Sequence, residues 1–172
     1  MNHSTTARMA AAAVFAAAFL SAPAASAAPP SGPPEDIFYK LDAGLGCSFP
    51  LTVRGTDSKR HTKEFFDKNG LKVRVIEAGK GFNLTYTNFD NKKSISFKGN
   101  GSVTKTSINN VTKVSTVTAT GHNGLILFPS DVPKGPTSVQ YTGRIVYTID
   151  AKGVFTLQST SGTKVDICEA LK

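Results

Sequence analysis

Residues Tyr141–Ser159 constrain this chain more than any other stretch. Tyr141, Ile145, Tyr147 and Ile149 fall on one phase of a two-residue period, and Thr142, Arg144, Thr148 and Asp150 on the other. After Ala151-Lys152-Gly153, Phe155 and Leu157 resume the apolar phase. Alternation of this length, broken by a short loop ending in Gly, predicts two antiparallel strands with one face in a core and the other in water.

The rest of the chain repeats the pattern on a smaller scale. Ile37–Leu45 reads either as a first strand or as a short helical turn, with Phe38 and Tyr39 plugging one end of the core. Cys47, Phe49, Leu51 and Val53 share one face. Gly55–Arg60 is a polar loop. Lys63–Asp67 carries Phe65 and Phe66, and Asn69-Gly70 is a tight-hairpin signal. Leu71, Val73 and Val75 alternate with Lys72 and Arg74. Ala78–Gly81 turns the chain. Phe82, Leu84 and Tyr86 share a face, as do Ile95 and Phe97, and Asn100-Gly101 is a second turn signal. Val103–Ile108 and Val111–Ala119 hold no single phase, which predicts a bulge, an edge strand or a strand covered on both sides. Gly121–Gly124 reads as a turn before a short strand, Leu125–Phe128. Three Pro within Pro129–Pro136 exclude a ladder there. Ser161-Gly162 is a last turn, leading into Lys164–Leu171.

About eleven short strands at such spacing predict an all-β domain over residues 37–172, an antiparallel meander forming a barrel or a two-sheet sandwich. No amphipathic helix of useful length is visible.

The N-terminus has a different composition. Arg8 precedes the uncharged apolar run Met9–Leu20, and Ala25-Ser26-Ala27 fits a cleavage site. Residues 1–27 therefore read as a secretory signal peptide, because the run is too short for a membrane span of about 20 residues. Residues 28–36 (APPSGPPED) read as a Pro-rich tether. No later run is long enough to cross a membrane. The expected product is secreted and extracellular.

Export gives the two cysteines their meaning. Cys47 and Cys168 lack ligand-spaced neighbours, so no metal site and no cofactor is expected, and a disulfide is. The pair lies near the first and last confident strands and would close the sheet system. Cys168 shares its strand phase with Asp166 rather than with Val165 and Ile167, so the last strand should end before it, with Glu169–Lys172 trailing off.

Charge is unevenly placed. Residues 54–113 hold 13 Lys and Arg against 5 Asp and Glu. Such an excess either solubilises the fold or forms a surface for polyanions. The candidate anionic-partner face is Arg54, Lys59, Arg60, Lys72, Arg74, Lys92, Lys93 and Lys98, facing a cell-wall or other extracellular polymer. Nucleic acid is disfavoured, because Phe82, Tyr86 and Phe97 sit on apolar phases instead of forming an outward stacking platform.

Catalytic patterns are weak. His122 has Ser130 and Asp131 nearby in sequence, but no nucleophile elbow is present. His61 sits among Lys59, Arg60 and Lys63 and reads as a solvated residue. Gly79-Lys80-Gly81 lacks the other positions of a phosphate loop.

Gly121-His122-Asn123, Phe128-Pro129-Ser130-Asp131-Val132-Pro133, Gly143-Arg144-Ile145-Val146-Tyr147 and Asp166-Ile167-Cys168, with Cys47 followed by Phe49-Pro50-Leu51, stand out together. In these runs the chain resembles a group of small, secreted, β-rich actinobacterial proteins of uncharacterised function. The resemblance covers about residue 35 to the C-terminus. It implies export and a bacterial source, and it supplies no catalytic residues. The function expected from all this is a secreted, non-catalytic surface or matrix-associated protein that binds anionic polymers through a basic face. The alternative is a small-ligand carrier with a β-barrel cavity, and behind it a hydrolase using His122 with Asp131.

Overall fold

The computed structural model describes residues 37–172. The expected signal peptide and tether lie outside the described residues. Ten strands and one helical turn follow in order: β1 (Ile37–Leu41), β2 (Leu51–Thr56), β3 (Lys59–Phe66), β4 (Lys72–Lys80), β5 (Asn83–Asn88), β6 (Ser94–Phe97), β7 (Gly101–Asn109), β8 (Val114–Leu127), β9 (Thr137–Ile149), β10 (Phe155–Asp166) and α1 (Ile167–Ala170). They form two antiparallel sheets, one ordered β1-β2-β5-β6 and the other β10-β9-β8-β7-β4-β3.

The two orders share a pattern. β2 leads into β3, β4 into β5 and β6 into β7 with only two or three residues between them, and each time the chain passes from one sheet to the other. In the first sheet β5 lies between β2 and β6, and in the second β4 lies between β3 and β7. A three-stranded ribbon is thus bent across its middle, and each half belongs to a different sheet. Strands that switch sheets in this way make the corners of β-sandwiches. Gly81 N–H donates to Asn100 O (3.0 Å) across the bend. β1 extends the ribbon on one side, and the hairpins β7-β8, β8-β9 and β9-β10 extend it on the other.

The sheets do not close. β1 and β6 are edges of one, and β3 and β10 are edges of the other. The sandwich expectation holds and the barrel expectation is overturned, along with the barrel cavity on which a ligand carrier would depend. The corners explain why: strands that would have joined end to end in a meander leave their sheet before the ladder can close.

Two apolar clusters hold the layers. Cys47, Leu51, Val53, Tyr86, Ile167 and Leu171 form the first; Ala119, Leu125, Leu127, Val139, Tyr141 and Ile145 form the second. The Cys47–Cys168 disulfide closes the first across 121 residues, with Cα atoms 5.4 Å apart. The phase conflict at Cys168 disappears because the strand stops at Asp166. Its carboxylate accepts the Glu169 N–H (3.0 Å) and caps α1. The C-terminus does not trail off. Leu171 is buried, and its carbonyl accepts the side-chain amides of Asn88 and Asn91, each at 3.0 Å.

Other expectations need correction. Phe38 and Tyr39 do not plug the core; β1 is an edge strand, and the two rings are 66% and 54% exposed. Gly55–Arg60 is not wholly loop, since β3 begins at Lys59. Gly121–Gly124 and Ser161-Gly162 are not turns but lie inside β8 and β10. Gly121 stands opposite Gly143, which stands opposite Gly162. The line continues through Ser102 to Gly79 and Arg60. It creases the sheet without reversing any strand. Gly143 has φ +147°, and a Cβ there would lie 2.1 Å from the Ser161 carbonyl oxygen. Gly121 has φ +97° and meets the Gly101 carbonyl at 2.2 Å. Only glycine permits this conformation and this approach.

Candidate functional site

Below the crease, the sheet register decides which side chains share a face. Directly opposed residues in an antiparallel ladder point the same way, and neighbours along a strand point oppositely. One set contains Val75, Glu77, Thr104, Thr106, Val117, Ala119, Ile145 and Tyr147. Val117, Ala119 and Ile145 are buried, so this is the inner face. The opposite set is the outer face. One row across it is Phe65, Arg74, Ser107, Thr116 and Thr148; the next is Lys63, Ile76, Lys105, Thr118 and Val146; the third is His61, Ala78, Val103, Thr120 and Arg144.

The charges are sorted by this register. Lys63, Arg74, Lys105 and Arg144 stand exposed on the outer face, and no Asp or Glu occurs in its three rows. Glu64 and Glu77 both point to the inner face. Adjacent strands are about 4.8 Å apart, so Lys63 and Lys105, two strands apart, stand roughly 10 Å from each other, and Lys105 and Arg144, two strands and one row apart, roughly 12 Å. Lys63 and Lys105 thus lie beyond the Debye length of about 8 Å at physiological ionic strength, while Arg74, the diagonal neighbour of each at about 7–8 Å, concentrates the positive charge between them. Threonine and serine hydroxyls fill the intervals. Phe65 lies beneath two of the cations, with the Arg74 guanidinium 4.2 Å and the Lys63 ammonium 5.3 Å from its ring centre.

The eight cations singled out in the sequence do not gather on one surface. Only Arg74 stands in the three rows of the outer face. Arg54 lies on β2 in the other sheet, between Phe38 and Thr85. Lys59 is close enough to Asp57 to help hold its carboxyl below the usual range, although the Lys80 ammonium, hydrogen-bonded to that carboxylate, does most of it. Arg60 turns inward and donates to Thr104 Oγ1 (3.0 Å). Lys72 pairs with Glu64. Lys92 caps the Phe89 carbonyl and sits over its ring, Lys93 bonds the Lys172 carbonyl, and Lys98 lies in the 98–100 connection. Lys63, Lys105, Arg144 and Phe65 were missed. The shared phase of Lys63 with Phe65 and of Val103 with Lys105 was visible, but the pairing that puts β3, β7 and β9 on one face was not.

His122 and Asp131 do not form a catalytic pair. Asp131 is buried, and its two carboxylate oxygens accept the backbone N–H groups of Phe128 (2.7 Å) and Phe155 (3.1 Å). His122 Nδ1 lies 3.4 Å from the Lys98 carbonyl. His61 is exposed on the outer face. Among the described residues no group of three His, Cys, Asp or Glu is placed to hold a metal ion, and no helix is long and apolar enough to cross a membrane. No protein-family model, curated protein or solved structure matches the chain.

Proposed function

We propose that this is a secreted, non-catalytic protein that binds anionic polymers through the outer face of its six-stranded sheet. The carrying observation is the sorting of charge: four exposed cations on one flat face, with both carboxylates of the same strands turned to the other. A sheet of this kind offers an extended, hydroxyl-rich surface rather than a pocket. It suits a chain carrying closely spaced negative charges, because the register sets neighbouring cations roughly 7–12 Å apart. Export, read from residues 1–27, would place that face where wall and matrix polymers are found.

Retention on immobilised heparin and on purified anionic wall polymer tests the reading. Binding should weaken steeply with salt, as counterion release requires. The triple variant Lys63→Gln/Arg74→Gln/Lys105→Gln should elute well before the parent. Arg54→Gln/Lys92→Gln/Lys93→Gln, with the same charge change elsewhere, should elute close to it. Equal losses in both would mean that net charge, not this face, makes the contact.

A further inference from the structure

Each sheet has two edges, and three of the four are guarded against pairing with another chain. β6 has only four residues. β3 carries Lys59, Arg60, His61 and Lys63. β10 is bulged between Leu157 and Ser159, and Val132 of the Pro-rich loop bridges to it at Thr156. Short length, charge, bulges and covering loops are the usual devices that keep strand edges apart. β1 (Ile37-Phe38-Tyr39-Lys40-Leu41) has little of this beyond Lys40. It pairs with β2 in unbroken register, and among the described residues nothing pairs with its other side. It also exposes the rings of Phe38 and Tyr39.

The register decides how such an edge can be met. Ile37, Tyr39 and Leu41 stand opposite Gly55, Val53 and Leu51, which are buried, so these three share the inner face; Phe38 and Lys40 share the outer one. A second copy paired antiparallel about a two-fold axis must set inner residues against inner ones and outer against outer. A centre on Phe38 pairs only Ile37, Phe38 and Tyr39. A centre on Lys40 pairs only Tyr39, Lys40 and Leu41, and sets like charges face to face. A centre on Tyr39 pairs the whole strand. Ile37 then meets the partner's Leu41, Phe38 meets the partner's Lys40, and Tyr39 meets the partner's Tyr39. The strand is complementary to its own reverse.

We infer that β1 is the interface of a homodimer, in which two four-stranded sheets join edge to edge about Tyr39. The inner face of the contact is apolar. Ile37 and Tyr39 already line a largely apolar cleft with Phe82, Leu84 and Ile126, and the partner's Tyr39 extends that wall. The outer face holds two cation–π contacts, each made by Lys40 with the partner's Phe38. The Lys40 ammonium stands 4.9 Å from the Phe89 ring of its own chain, and the partner's Phe38 approaches from the free side. None of the outer-face cations of the six-stranded sheet takes part.

One short strand a side is a small contact, so the dimer is weak. In sedimentation equilibrium its mass should rise toward twice that of one chain between about 10 μM and about 1 mM. Phe38→Lys sets an ammonium against the partner's Lys40 twice across the axis and should weaken the dimer at least about tenfold. Phe38→Glu sets a carboxylate there instead. It should associate within about threefold of the parent and become sensitive to salt. Both changes remove one exposed ring, so a contact made by hydrophobicity alone would lose equally from each. Phe66→Lys, the same change at an exposed ring of β3, should leave the dimer as it is. The inference falls if the parent stays monomeric throughout that range, which would leave the edge to an extended segment of another protein. It falls too if Phe38→Glu dissociates as fully as Phe38→Lys, or if Phe66→Lys acts as strongly. None of these results rests on polymer retention, so the two readings fail separately.

Discussion

Gly121 and Gly143 face each other in the β8-β9 ladder, both with positive φ, and each brings its backbone against a neighbouring strand more closely than a side chain would allow. On one side of this pair, Ile126 packs on the first core and Ser138 donates to the Gly46 carbonyl (2.9 Å). On the other, Ala119 and Ile145 join the second core. One strand pair thereby serves both clusters.

Gly143→Ala should cost about 3 kcal/mol in urea unfolding, because the Cβ would meet the Ser161 carbonyl at 2.1 Å in a conformation that L residues rarely adopt. Gly70→Ala is the control. Its φ is also positive, but nothing lies within 4 Å, and it should cost about 1 kcal/mol. Equal costs would show that φ alone, without the close approach, sets the price of the crease.

These glycines also show where the sequence could and could not be read. Each stands beside polar residues in a strand-rich chain, and that is the usual signature of a turn. A crease and a reversal use the same residue for the same reason, freedom at φ, and only the long-range pairing distinguishes them. The Asn69-Gly70 hairpin was legible because it is local. The corners at 57–58, 81–82 and 98–100 were not, since sheet membership is fixed by partners far along the chain. The all-β class could be read from alternation, and the disulfide from two cysteines in a chain expected to be exported. The cation face could not. A count over residues 54–113 finds the excess, but the register sorts Lys63 from Glu64 and Arg74 from Val75.

Asp131 looked like a candidate for chemistry and is structural. It closes the start of the Pro-rich loop through the Phe128 amide and ties the loop to β10 through the Phe155 amide, beside the Val132–Phe155 and Leu157–Val132 backbone hydrogen bonds of 2.8 and 2.7 Å. Asp131→Ala leaves two N–H groups without their acceptor and should cost about 2–4 kcal/mol by urea titration. A variant within 0.5 kcal/mol of the parent, roughly the range of ordinary surface changes, would mean that the loop is held by the backbone bonds alone.

Alkali should unfold the protein partly through Tyr86. Its hydroxyl donates to Gln140 Oε1 (3.2 Å) in the first core, and burial pushes its ionisation well above the usual tyrosine range. Burial raises Tyr147 as well, with Glu77 adding to the rise and Arg60 opposing it. An unfolded tyrosine loses its proton near pH 10. Above that pH the unfolded chain holds fewer protons than the native one, so stability falls as pH rises, while below it this contribution is complete. Tyr86→Phe should cost about 1–2 kcal/mol at neutral pH, from the unpaired Gln140. Its decline above about pH 10 should be shallower than the parent's. Parallel declines would show that Tyr86 does not carry the linkage.

The Cys47–Cys168 bond spans 121 residues. A loop of about 100 residues is worth roughly 4.7 kcal/mol in the chain-entropy model, and measured values are often smaller. Cys47→Ser should therefore lower the melting temperature by several degrees. A reductant should destabilise the parent and leave this variant unchanged. If the parent ignores the reductant even when unfolded and refolded in it, the bond contributes nothing to stability.

The outer face can be separated from net charge by one pair of substitutions. Thr116 and Thr62 are both exposed threonines in the six-stranded sheet, but the register puts Thr116 on the outer face beside Ser107 and Thr148, and Thr62 on the inner one opposite Glu77. Thr116→Glu and Thr62→Glu change the net charge equally. Only the first sets a carboxylate beside Lys105 and in the row of Arg74. If polymer binding depends on that cluster, Thr116→Glu should lower the salt concentration at which the protein leaves immobilised heparin. It should also reduce the slope of log affinity against log salt by about one, the effect of losing one paired charge. Thr62→Glu should leave both nearly unchanged. Equal effects would assign retention to the long-range field of a basic protein, and the sorted face would then serve solubility alone.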